Sequence, residues 1–171
     1  EKVKARLPGF DIRKLILCAT HTHNAPVTIE GRYTLPKSGI MTPSDYARFM
    51  TDKIAEAAAE SWAGRRVGKV GWGQGQAVVA RNRRALYADG SAKMYGATDS
   101  ADFRGIEGYE DHTLDAFFFW DENGQLVATT INVPCPAQEA EGGRSLHADF
   151  WDRVRQTLRE RHGEDLQVLA W

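Results

Sequence analysis

The sequence has few of the features that mark the more specialised classes of protein. Only two of its 171 residues are cysteines, too few for a disulfide framework. No apolar run approaches the roughly 20 residues that cross a bilayer, so no transmembrane segment is expected. The 22 Lys and Arg residues are balanced by 23 Asp and Glu residues, and a formal net charge of −1 argues against nucleic-acid binding. The 42% of hydrophobic and 26% of charged residues indicate a globular protein.

The two ends of the sequence suggest a segment taken from a larger domain. The chain begins at Glu1, without an initiator methionine and without the pattern of a signal peptide. It ends on the apolar run Leu166–Trp171, which a natural domain would normally cover with further structure. We therefore expect residues 1–171 to form one segment of a domain truncated at both ends, and any active site in it to be incomplete.

Two apolar runs, Leu15–Thr20 and Leu166–Trp171, are predicted to be buried strands. Each follows the tail of a helix, a glycine and an acidic residue. This order of elements predicts an α/β fold, a layered mixed sheet with flanking helices. The remaining predicted elements are helices over 43–63 and 149–161, a strand within 67–79, a hairpin of 113–120 and 125–133 around the turn 121–124, and a loop over 134–144.

Glycines at positions 71, 73 and 75 resemble a phosphate-binding loop only superficially. They alternate at period two with Trp72 and Gln74, and no helix begins directly after them, as a phosphate cradle requires. The pattern instead predicts a strand against which another backbone packs closely. A binding module built on this strand is the weakest functional alternative, because no charge pattern supports it.

The most informative motif is Thr20-His21-Thr22-His23, directly after the first apolar run. If strand geometry persists, His21 and His23 project to the same side, at the strand end where α/β sheets place their sites. Imidazole is a favoured zinc ligand, so a metal site is preferred here over two histidines hydrogen-bonded in a loop. Two ligands remain too few for catalytic zinc, which usually takes three from the protein.

Further candidate ligands are sparse. Cys135, held between two prolines, could donate a thiolate, although a small buried hydrophobe is an equally good interpretation. Cys18 is expected to be buried in its strand and inert. Glu139 and Glu141 could reach a metal, but acidic loop residues are usually just solvated. The remaining histidines are expected to be capping or surface residues: His112, His147 and His162.

The basic cluster Arg81-Asn82-Arg83-Arg84 can hold a carboxylate or a developing oxyanion. For at least two of its three arginines we expect no more than a solvated turn. One short cluster in a chain without net positive charge gives little of the counterion release that drives nucleic-acid binding.

Taken together, these residues resemble the neutral/alkaline (non-lysosomal) ceramidases and their bacterial relatives. The resemblance rests on Thr20-His21-Thr22-His23, on Asn82-Arg83, on the hairpin that ends in Cys135-Pro136, on Ala148-Asp149 and on Gly163-Glu164-Asp165. It covers nearly the whole chain in order, but only the first motif is sharp. It implies a zinc ion that activates water to hydrolyse the amide of N-acylsphingosine.

Carried over by position, the resemblance makes His21 a zinc ligand, His23 a histidine that hydrogen-bonds near the metal or substrate, and Arg83 the arginine that holds the reacting group. Cys135 stands where the family has its second histidine ligand. The Ser-Gly-Pro of the family is Asn24-Ala25-Pro26 here, and its later ligands would lie beyond Trp171.

The leading hypothesis is therefore the N-terminal part of a zinc-dependent amidohydrolase that takes a lipid-like or other N-acyl substrate and is inactive as an isolated segment. The alternative is a non-catalytic scaffold or binding member of the same fold that has lost the full metal site. Proteins of the resembled family are often secreted or periplasmic, but these residues carry no export signal. The compartment and the oligomeric state stay open.

Overall fold

Three helices and seven strands make up the chain, and the computed structural model describes residues 1–171 throughout. None of the helices combines the length and the apolarity needed to cross a bilayer. The helices are α1 (Lys2–Arg6), α2 (Pro43–Ala63) and α3 (Phe150–His162), with a short 3₁₀ helix at Ile12–Lys14. The strands are β1 (Lys69–Gln76), β2 (Arg84–Tyr87), β3 (Ala92–Met94), β4 (Phe103–Ile106), β5 (Thr113–Trp120), β6 (Leu126–Asn132) and β7 (Gln167–Ala170).

The larger sheet has four strands in the order β1-β5-β6-β7. Its first three strands are antiparallel neighbours, and β7 runs parallel to β6. The β5–β6 turn forms because the Asp121 carboxylate accepts hydrogen bonds from the backbone N–H groups of Asn123 and Gln125, both at 2.9 Å. The predicted α/β class with a mixed sheet and flanking helices is confirmed. Strands β3-β2-β4 form a second, antiparallel sheet.

The two long helices begin at the side chains that the sequence places there. The Thr42 hydroxyl accepts a hydrogen bond from the backbone N–H of Asp45, and Pro43 occupies the first turn. Asp149 caps α3, whose Trp151 is 2% exposed. Helix α3 packs against β7, so this helix provides the larger sheet with part of its cover.

The larger sheet has one buried and one open face. By strand register, Thr129 and Val168 share one face, and both are buried. The opposite face carries Trp72, Phe117 and Leu169, which are 77%, 40% and 59% exposed. An apolar sheet face of this size therefore lies at the surface.

The close contacts of the β1 glycines are with aromatic rings, and not with the backbone that was predicted to pack there. A Cβ on Gly71 would come within 3.0 Å of the Trp120 ring, and one on Gly68, just before the strand, within 2.4 Å of the Trp120 carbonyl oxygen. A Cβ on Gly75 would meet nothing within 4 Å. Close packing thus explains the glycines at the start of the strand but not the one near its end.

The first apolar run is the main correction. Residues Leu15–Thr20 form no strand, and Ile16 and Leu17 are 68% and 66% exposed. Cys18, expected to be buried, is exposed as well. The backbone of this run makes only two hydrogen bonds: Leu15 N–H donates to Ile12, and Thr20 C=O accepts from Ala137. A strand needs a paired neighbour, and none lies alongside.

Candidate functional site

His21 and His23 lie side by side, although not for the reason predicted. Their ring centroids are 5.3 Å apart with the planes tilted by 37°. His21 has a φ of 62°, so strand alternation does not bring the rings together. The juxtaposition arises from a tight irregular bend at the end of the exposed apolar run.

The histidine loop, residues 20–24, is fastened to the segment that connects β6 and α3. The Thr22 hydroxyl donates to the backbone carbonyl of His147 at 2.8 Å, and His147 N–H donates to the carbonyl of Asn24 at 3.1 Å. At the other end, Ala137 N–H donates to Thr20 C=O at 2.9 Å. These bonds place the histidines beside a loop that is distant in sequence.

Cys135 lines the same cavity as His21. The cavity has a volume of about 260 Å³, and Trp151 and Trp171 also line it. The Cys135 thiol donates to its neighbour's carbonyl, that of Pro136, with Sγ 3.3 Å from the oxygen. Burial raises the pKa of this thiol, and the negative charges of Glu139 and Asp149 add to the effect, opposed by the charge of Arg83. Without a metal, Cys135 is thus an ordinary protonated cysteine and not an activated nucleophile.

Arg83 is exposed and rests on an aromatic ring. Its guanidinium carbon lies 4.6 Å from the centroid of Tyr95, and the side chain also hydrogen-bonds the Tyr95 hydroxyl. Its charge reaches the Cys135 thiol. The structure thus brings three predicted site residues together, with His21 and Cys135 lining one cavity and the His23 ring beside His21, whereas the side chain of Arg83 contacts Tyr95.

The other two arginines of the cluster are held by carboxylates. Arg81 pairs with Glu110 at 3.0 Å, and Arg84 pairs with Glu107 at the start of β2. Both arginine side chains stay exposed to solvent, at 70% and 43%, as expected, and the segment after β4 adds an acidic partner to each. Arg84 differs from the expected turn residue in that it begins strand β2.

Asp149 fixes the segment between β6 and α3 by accepting backbone hydrogen bonds. This role was not predicted from the sequence. Its carboxylate, 4% exposed, accepts from Ala140 N–H at 2.7 Å and from Phe150 N–H at 2.8 Å. Burial works against its ionised form, but these backbone donors outweigh burial and lower the pKa of the carboxyl below its usual range. The signal available in the sequence was an aspartate directly before a helix.

The remaining histidines lie elsewhere or are engaged. His147 Nδ1 accepts from the backbone N–H of Asp149 at 2.8 Å, and His162 is the last residue of α3. His112 Nε2 lies 3.3 Å from the Glu110 carboxylate. No group of three His, Cys, Asp or Glu side chains comes together closely enough to hold a metal ion. The chain thus gathers two candidate metal donors, His21 and Cys135, around one cavity.

Among known proteins, a likeness appears in structure but not in sequence. No protein-family model matches the chain, and no curated protein matches it. The fold is similar to that of the neutral ceramidase from Pseudomonas aeruginosa, with a TM-score of 0.64 at 20% sequence identity. The match covers 99% of this chain and 27% of that enzyme. The chain therefore has a ceramidase-like fold and spans about a quarter of the length of its structural neighbour.

Proposed function

We propose that this chain contributes half of the active site of a zinc-dependent hydrolase that cleaves the amide bond of N-acylsphingosine or a related N-acyl substrate. The observation that carries the proposal is the shared cavity of His21 and Cys135, with the His23 ring beside it. The likeness of the fold to a neutral ceramidase over 99% of the chain supports the choice of reaction.

The donors present fit zinc in kind but not in number. Imidazole nitrogen and cysteine thiolate are both zinc ligands, while a catalytic zinc takes three protein ligands and keeps one position open. His21 and Cys135 are two, and no third acidic, cysteine or histidine group joins them. We propose that the remaining ligands come from outside these 171 residues, so that the chain alone is inactive.

The roles of the other residues follow from their chemistry. When bound, zinc would polarise the amide carbonyl and make its water more acidic. His23 would move a proton during cleavage, since a neutral imidazole has one nitrogen that donates a proton and one that accepts. Arg83 would hold a developing oxyanion with its planar guanidinium, whose donors suit an anionic oxygen. Stacking on Tyr95 limits the orientations of that guanidinium.

The proposal is tested by the zinc content of the full-length protein, purified without chelator and measured by elemental analysis. We expect about one zinc per chain and its loss in His21→Ala and in Cys135→Ser. Cys18→Ser and His162→Ala are matched controls that should retain it, because Cys18 is exposed and His162 lies at the far end of α3. A zinc-loaded protein would then be assayed against a panel of N-acyl substrates.

A non-catalytic scaffold of the same fold is the second candidate. It is favoured by the absence of any three-residue metal cluster and by a cysteine where the resembled family has a histidine. The zinc measurement separates the two. Protein that stays free of metal after zinc is supplied contradicts the hydrolase and supports the scaffold.

A further inference from the structure

Glu141 forms the closest polar contact to His23. Its carboxylate Oε2 lies 2.8 Å from His23 Nδ1, within the range of a charge-assisted hydrogen bond. A carboxylate can only accept, so Nδ1 must carry the proton. In the neutral ring the other nitrogen, Nε2, then holds the lone pair. The contact therefore specifies which nitrogen of His23 can accept a proton.

We propose that Glu141 is a positioning residue that holds His23 in its Nδ1–H tautomer and leaves Nε2 as the reactive nitrogen. The role of His23 in catalysis rests on the proposed function, whereas the Glu141–His23 pairing rests on geometry alone. Histidines that act as bases or metal ligands usually donate the other ring N–H to such a partner. From the sequence, Glu141 was expected to be a solvated loop residue or a carboxylate within reach of a metal, and not a partner of His23.

The pair differs from an ordinary surface ion pair because both partners sit on anchored loops. Next to Glu141, Ala140 N–H is bound by the buried carboxylate of Asp149 at 2.7 Å. On either side of His23, the Thr22 hydroxyl and the Asn24 carbonyl are bound to His147. The side chains of His23 and Glu141 are 38% and 52% exposed. The anchored backbone thus brings the two residues within reach of each other.

His147 provides an internal contrast. Its Nδ1 accepts a hydrogen bond from the backbone N–H of Asp149, so in the neutral ring the proton is on Nε2. His23 and His147 are thus assigned opposite tautomers within one site. The free nitrogen of His147 carries a proton and cannot accept another or bind a metal, while Nε2 of His23 can.

The inference is tested by long-range ¹H–¹⁵N NMR of the histidine rings in the metal-free protein, at a pH where both rings are neutral. The His23 signals are assigned by their loss in His23→Gln. We expect His23 as Nδ1–H and His147 as Nε2–H. Glu141→Ala should shift the His23 tautomer ratio toward Nε2–H by about tenfold, the scale of a lost hydrogen bond to a charged group. Glu141→Gln should preserve the wild-type tautomer, because its amide oxygen still accepts.

Glu139→Ala is the matched control, since it removes a neighbouring loop carboxylate that does not pair with His23. It should leave the His23 ratio unchanged. The inference is overturned if His23 is Nε2–H in the wild type, or if Glu141→Ala leaves the ratio where it was. Because the readout needs neither zinc nor turnover, it can succeed while the zinc measurement fails, and the two proposals are judged separately.

Discussion

The two apolar runs of the chain have similar sequences and different structures. Leu15–Thr20 and Leu166–Trp171 each follow a helical tail, a glycine and an acidic residue. Strand β7 forms within the second run because β6 pairs with it from Ala128 to Ile131. The first run has no neighbouring strand and is exposed. Apolar composition thus indicates a segment that can be buried, while the partner alongside decides whether it becomes a strand.

The largest expected effect separates two leucines, one from each of these runs. Leu166 is 2% exposed and Leu17 is 66% exposed. Leu166→Ala should lower the free energy of unfolding by about 3 kcal/mol, because a buried leucine loses its packing and leaves a cavity. Leu17→Ala should change it by less than about 0.5 kcal/mol. Urea unfolding of both variants measures the difference.

Equal losses in the two leucine variants would contradict the comparison, since they would show that Leu17 is as well packed as Leu166. As a control, the slope of the free energy of unfolding against urea concentration should be unchanged in both variants. An unchanged slope shows that unfolding exposes the same surface in each.

The second prediction extends the comparison to two glycines in and beside one strand. Gly68→Ala should destabilise the protein by about 2 kcal/mol, because its Cβ would come within 2.4 Å of a backbone oxygen that cannot easily move. Gly75→Ala, with open space around it and no positive φ, should be neutral or slightly stabilising. Thermal unfolding followed by circular dichroism measures both. A Gly68→Ala variant as stable as the wild type would show that the strands are not in close contact there.

The third and smallest effect concerns Asp149, which holds the segment that connects β6 and α3. Asp149→Asn should cost about 1 kcal/mol near neutral pH, because an amide cannot accept from both Ala140 and Phe150 without turning its own donor toward one of them. The pKa of Asp149 is lowered in the folded protein, so its contribution is complete above the unfolded value of 3.8. That contribution is lost as the pH falls through the lower folded pKa.

The measurement for Asp149 is the stability difference between wild type and Asp149→Asn as a function of pH. It should be constant from about pH 7 down to about pH 5 and shrink in more acidic solution. A difference that grows on acidification would mean that the pKa of this carboxyl is raised and not lowered.

The parts of the fold that follow from local pattern were predictable. The Thr42-Pro43 start of α2 and the Asp121–Gly124 turn each have a short-range cause that the sequence displays. The second sheet was not anticipated, because β2, β3 and β4 have only three or four residues each and show no clear alternation. Short strands depend on their partners for stability, and pairing is not visible in one segment.

The candidate site could likewise be predicted only in part, where its features depend on nearby residues. The residue types and the pairing of His21 with His23 were expected from the sequence, although the strand that was to align them does not exist. The partners of Arg81 and Arg84 and the contact from Glu141 to His23 arise between segments far apart in the chain. No local pattern encodes such contacts, so only the folded structure identifies them.

The open face of the larger sheet has a consequence for how the molecule behaves in concentrated solution. Its tryptophan, phenylalanine and leucine side chains favour self-association, and a net charge of −1 provides almost no repulsion to oppose it. Apolar association strengthens with sulfate or phosphate salts and weakens on cooling. A preparation of these 171 residues alone is therefore expected to aggregate more readily in sulfate or phosphate salts and less readily in the cold.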